Sequence, residues 1–199
     1  LSRGNVQAHV TTNNILGAEA FTEIMMVRDC CRRIDLVAGY QFFRLNDWLQ
    51  INSTSTLTEV GNPLLGLQVQ LNDRFSTRNE FHGGELGLRA RMARGQWSLN
   101  VLGQVAIGNI NQQVTIAGTT VTTAPGGGVG QTTQGGLLAQ PTNIGEFERN
   151  KFTYIPQVIS TLNYRITPNV SVHLGYNIMW IADIALSGDQ IDNRVNPWQ

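Results

Sequence analysis

The sequence predicts an all-β chain, an antiparallel up-and-down barrel of the type that crosses an outer membrane. Three observations carry that expectation. Long segments alternate apolar and polar residues with a period of two, as a strand does and a helix does not. The segments meet in pairs at turns of a few residues, Asp29-Cys30-Cys31, Arg94-Gly95 and Ile166-Thr167-Pro168, whereas the next pair is reached through a much longer connection. Aromatic residues gather at both ends of the alternating segments. Strands of roughly 9 to 12 residues, tight turns on one side and long loops on the other are what a bilayer crossed by tilted strands requires.

In the first hairpin Leu16, Ala18, Ala20, Ile24 and Met26 share one face, and Ile34, Leu36, Ala38, Tyr40 and Phe42 form the matching apolar row after the turn. A three-residue turn pairs Arg28 with Arg32, Met26 with Ile34, Ile24 with Leu36 and Ala20 with Tyr40, so the apolar rows coincide, as cross-strand partners must. In the second hairpin an Arg94-Gly95 turn sets Leu86, Leu88, Ala90 and Met92 against Gly103, Val101, Leu99 and Trp97, with Glu85, Arg89 and Arg91 facing Gln104, Asn100 and Ser98. In the third, a turn at Ile166 to Pro168 pairs Leu162 with Val172, Val158 with Tyr176 and Tyr154 with Trp180. Pro156 lacks a ladder donor and is expected at a bulge or an edge.

The connections differ from the strands. Leu45 to Asn79 is polar and partly alternating, as though strands run on past a membrane surface. From Gly95 to Gly145 no charged residue or histidine occurs, and the Thr- and Gly-rich run within it places a long uncharged extracellular loop at 109–150.

Composition narrows the function classes. A chain of 199 residues suits one domain. Lys and Arg total 14 and Asp and Glu total 14, so no net charge draws a phosphate backbone and nucleic acid is not an expected partner. No apolar run of about 18 residues exists to form a membrane helix. Residues 1–10 lack a secretory signal pattern, which is expected of a mature product or a piece of a longer chain. No nucleophile elbow, metalloprotease motif or phosphate loop is found, so an enzyme is not expected.

Alternation alone leaves open which face is wet, since a soluble β-sandwich or barrel puts its apolar row inside. Two girdles of interfacial aromatics favour lipid outside: Trp97 and Tyr164 near the tight turns, and Tyr40, Phe42, Phe152, Tyr154 and Trp180 at the far strand ends. The opposite face then lines a lumen, with Glu19, Glu23, Arg33, Asp35, Glu85, Arg89 and Arg91 as candidate selectivity residues. The plain alternative is that these charges pair and plug the interior. Cys30 and Cys31 cannot staple distant segments; in an oxidising compartment they are candidates for a cross-link to another protein, free or mutually bonded thiols being the alternative. His82 and His173 are too isolated for a metal site, and no cofactor is expected.

The run Phe81-His82-Gly83-Gly84-Glu85-Leu86-Gly87-Leu88-Arg89, followed by Gly95-Gln96-Trp97-Ser98-Leu99-Asn100-Val101, resembles a planctomycetal family of outer-membrane β-barrel proteins. So do Gly135-Gly136-Leu137-Leu138-Ala139-Gln140-Pro141-Thr142-Asn143-Ile144-Gly145, Arg33-Ile34-Asp35-Leu36-Val37-Ala38-Gly39-Tyr40, Leu174-Gly175-Tyr176 and Gly188-Asp189-Gln190-Ile191-Asp192. The resemblance implies a porin-like protein of the bacterial cell surface with no catalytic residues to carry over. It also implies that this is the C-terminal portion of a larger barrel, with strands upstream and a closing strand after Asn196-Pro197.

The expected function is passive diffusion through an Arg/Glu-lined lumen. The alternatives are a plugged structural or adhesive barrel whose loops bind neighbouring copies or other surface proteins, and a soluble β-barrel binding protein.

Overall fold

The computed structural model describes residues 2–191. Among them, seven strands form a single antiparallel sheet: β1 (Ser2–Arg28), β2 (Arg32–Leu57), β3 (Gln68–Arg94), β4 (Trp97–Thr123), β5 (Gln131–Gln134), β6 (Gly145–Thr167) and β7 (Val170–Met179). Their order is β1-β2-β3-β4-β6-β7, with short β5 paired to the far end of β4. This is the expected up-and-down meander, and the three hairpins are its β1–β2, β3–β4 and β6–β7 pairs.

The strands are much longer than expected. β1, β3 and β4 each run 27 residues. At a barrel tilt of about 40° such a strand rises roughly 65 Å, about twice the hydrocarbon thickness. The stretch Leu45 to Asn79 is therefore mostly strand, with only residues 58–67 connecting β2 to β3. The expected loop at 109–150 is likewise divided: it contains the end of β4, all of β5 and the start of β6, and only 124–130 and 135–144 lie outside strands.

The physical reason is an inversion of polarity halfway along each strand. Near the tight turns one face, called outer here, is apolar, with exposed Ile34, Tyr40, Leu86, Leu88, Ile107 and Tyr154 and half-buried Leu36 on it. The inner face there is mostly polar, with Val37 and Leu102 buried among its charged and amide residues. Beyond the cross-strand row Phe42–His82–Asn109–Phe152 the outer face becomes Arg44, Asn46, Glu80, Arg78, Asn111 and Glu148. From the same level the inner face becomes Phe43, Leu45, Phe81 and Ile110, all buried. The lower half suits lipid outside and the upper half suits water outside. From Trp97 to Ile107 the outer belt of β4 rises roughly 25 Å, the height of a bilayer-spanning apolar band.

Registers refine the expected pairings. Arg28 pairs with Arg33 rather than Arg32, and a bulge between Met25 and Val27 restores the expected Ile24–Leu36 and Ala20–Tyr40 pairs. The second turn is Gly95-Gln96, one residue later than expected. Gly95 has φ +62°, and a glycine with positive φ at the first central position is what a tight hairpin of this kind needs. Leu88 thus meets Gly103 and Met92 meets Leu99. The third turn is Pro168-Asn169 with a bulge at Ile166, so Leu162 meets Leu174 and Val158 meets Ile178. The expected Tyr154–Trp180 pair does not form, because the β6–β7 ladder ends at Gln157–Met179 and the Trp180 N–H goes to Pro156. In the second and third hairpins the shift is by two residues and leaves every side chain on its expected face, whereas the β1 bulge shifts Arg28 by one and sets it in the inner row with Arg33.

Pro156 occupies the edge position it needs. Its carbonyl accepts the Trp180 N–H at 3.0 Å, beyond the last β6–β7 pair, Gln157–Met179. The missing N–H points to that same side, where the ladder ends anyway. From there the chain leaves the sheet, and residues 181–191 are not a strand. The expected closing strand after Asn196-Pro197 lies outside the described residues.

Candidate functional site

The lower inner face is built from rows of residues that the pairing sets side by side. Nearest the turns lie Arg28, Arg33, Arg91 and Asn100, followed by Asp35 and Arg89. Glu23 comes next, then Glu85, then Glu19 beside Gln41. Basic residues thus stand at the turn end and acidic residues deeper.

The charges are linked across β1, β2 and β3. Asp35, fully buried, accepts from Arg33 Nε at 2.7 and 2.9 Å and from Arg91 Nη1 at 2.9 Å. Arg91 also donates to Glu23 at 2.6 Å, and Arg89 reaches the same carboxylate at 2.8 Å. Arg91 therefore bridges two acids on different strands, which satisfies buried charge that would otherwise cost several kcal/mol. The Arg89 guanidinium also lies 5.4 Å from the Phe21 ring centre, within cation–π range.

Deeper in, amides replace arginines. Gln41 donates to Glu19 at 3.0 Å, while Gln104 donates to Gln157 at 3.0 Å and more weakly to Glu85 at 3.4 Å. Gln157 in turn donates to Asn177 at 3.2 Å. Glu85 lies against the backbone of Gly39, where an added Cβ would meet its Oε1 at 2.6 Å; only glycine leaves room for this carboxylate. Glu85 Oε1 and Gln41 Oε1 are buried and have no hydrogen-bond donor among the described residues.

Two inward segments cover the upper inner face, and neither is apparent from sequence alternation. The 135–144 segment is anchored by Asp73, whose carboxylate accepts the N–H groups of Leu137, Leu138 and Ala139 at 3.0, 3.2 and 3.0 Å, an anion cradle made of successive backbone donors. Residues 180–191 form a strap across β2, β3, β4 and β6. Asn79 both donates to and accepts from the Ala185 backbone at 2.8 Å. Asp47 accepts the Ser187 N–H at 3.0 Å and its hydroxyl at 2.6 Å. Gln112 donates to the Asp183 carbonyl and Lys151 pairs with its carboxylate. Ile181 and Ile184 pack on Phe43, Phe81 and Ile110, while Leu138 and Ile191 pack on Leu49 and Phe75.

Sequence reading missed Asp47, Asp73, Asn79 and Gln112. Their signal was a lone polar residue interrupting an inner apolar row, as in Phe43, Leu45, Asp47, Leu49, Ile51. The candidate charges all fall on one face, and the interfacial aromatics within the strands fall on the other, with Trp180 lying just past the end of β7. Trp97 and Tyr164 form a cross-strand pair with ring centres 4.5 Å apart. At the opposite belt edge the Tyr40 hydroxyl lies 2.7 Å from His82 Nδ1, and Phe42 packs on the same ring. Cys30 and Cys31 are exposed free thiols with sulfurs 3.3 Å apart, and their mutual hydrogen bond pushes the Cys31 thiol pKa up.

The fold and its apolar belt define a porin-like membrane β-barrel protein. Over residues 1–199 the chain matches the family described as Putative beta barrel porin-7 (BBP7) and belongs to it. That membership implies the outer membrane as its setting. No curated protein matches the chain.

Proposed function

We propose that the protein forms part of the wall of a passive outer-membrane channel. Its lumen is the face bearing Glu19, Glu23, Arg33, Asp35, Glu85, Arg89 and Arg91, and its tight turns face the periplasm. One observation carries this reading: the charges collect opposite the lipid-type belt, and Glu23, Arg33, Asp35, Arg89 and Arg91 are linked by ion pairs across three strands. Fixed charges at a constriction set ion preference without any cofactor. In planar bilayers, Arg89→Glu with Arg91→Glu is expected to raise cation over anion permeability several-fold. A folded, inserted protein that does not conduct, or whose ion preference is unmoved by these changes, would overturn it.

A second reading, a plugged structural or adhesive barrel, is favoured by the strap and the Asp73-anchored segment. Both fill the upper interior with hydrogen-bonded chain and apolar side chains, leaving the exposed connections to bind neighbours.

A further inference from the structure

At the turn end of the outer face lies a niche of about 400 Å³ lined by Cys31, Arg32, Met92, Ala93, Arg94, Trp97, Leu99 and Leu162. Its floor is apolar because β3, β4 and β6 each present an outward apolar residue in the row Met92–Leu99–Leu162. Its rim is cationic. Arg94 pairs with Trp97 and through it with Tyr164, so the guanidinium stands at the level of the aromatic girdle. Arg32 stands opposite, 70% exposed, in a loose, solvent-exposed ion pair with Asp29 at 3.6 Å. Within residues 28–33, 91–97 and 163–169 the charged side chains are Arg28, Arg32, Arg33, Arg91, Arg94 and Arg165 against the single acid Asp29. Arg33 and Arg91 are engaged inward with Asp35, which leaves the outward pair available to a ligand.

We propose that this niche is a binding site for an anionic phospholipid of the leaflet on the turn side, its acyl chain on Met92, Leu99 and Leu162 and its phosphate between Arg32 and Arg94. An apolar floor meeting two guanidinium groups at the girdle matches a molecule whose tail and phosphate join at that depth. Arginine is suited to the phosphate because its planar fork donates two bonds at once. The site rests on the reading that the outer face meets lipid and is independent of whether the lumen conducts.

The test is native mass spectrometry of the detergent-solubilised chain released from nanodiscs of phosphatidylglycerol, or of phosphatidylcholine, with inorganic phosphate as competitor. Retention of phosphatidylglycerol over phosphatidylcholine is expected. Arg32→Gln with Arg94→Gln should reduce it on the order of 10- to 30-fold, and Leu99→Trp should abolish it by filling the niche while the heat-dependent gel shift shows the sheet intact. Equal retention of the two lipids would overturn the proposal. So would unchanged retention by the double variant, or complete displacement by inorganic phosphate. A chain that stays monodisperse without detergent would overturn the membrane placement as well, whereas a non-conducting chain that retains the lipid would overturn only the channel reading.

Discussion

Glu80 stands just above the apolar belt, between Arg78 and Arg44, each with a nitrogen 2.5 Å from its carboxylate. The hydrogen bond from Arg78, then that from Arg44, holds its pKa below the ordinary carboxylate range, with burial opposing. Because the folded value is depressed, the stabilisation is fully present above the ordinary carboxylate pKa and is lost as pH falls through the lower folded value. Glu80→Gln should therefore cost about 1 kcal/mol in urea unfolding at neutral pH, and the two proteins should converge in acid. A constant gap at every pH would refute this role. Asp73 shows the same dependence on local geometry. The three N–H groups it receives leave no space beside it, and a Cβ on Gly136 would come within 1.8 Å of its Oδ1. The glycine and the aspartate, far apart in sequence, thus form one device.

At the scale of elements, the strap is held by paired polar contacts rather than by apolar burial alone. Asn79 and Asp47 together take three backbone or hydroxyl donors from residues 185 and 187 and give one back. Each such bond is worth about 1 kcal/mol net, and leaving a buried partner unmade costs more. Asn79→Ala combined with Asp47→Ala should release residues 180–191, increase their protease cleavage, and raise single-channel conductance if the strap narrows the lumen. Cleavage without any change in conductance would refute the plugged reading's claim on this segment. Much of the sheet was legible in advance, because period-two alternation fixes which residues share a face. Register was not, since a slip of two residues keeps every face intact and only turn chemistry decides, as Gly95 does. Strand length is not legible for a related reason: the alternation of one apolar face ends at Phe42–Phe43, where the apolar residues change sides. The strap left no trace because its anchors lie 106 and 140 positions away in the chain, and its apolar residues serve packing without strand periodicity.

At the scale of the whole molecule, the sheet has one protected face and two open edges. Among the described residues β1 pairs only with β2, and β6 from Gly145 to Ile155 has no strand partner on the side that β7 leaves. In hydrocarbon every backbone donor and acceptor must be satisfied, so an open edge at belt height costs several kcal/mol per group. Among the described residues the six strands of the meander fall short of the roughly eight from which single-chain membrane barrels begin. Further strands, from the same polypeptide or a second copy, are therefore required along β1 and β7 within the membrane. The expectation is that amide hydrogen exchange in the native membrane-embedded protein shows β1 residues 16–28 as protected as their neighbours in β2. The same amides should exchange much faster when the 199-residue chain is held alone in detergent. Equal and rapid exchange of β1 in both settings would mean that its edge stays open, and the belt would then have to be covered by something other than a closed barrel.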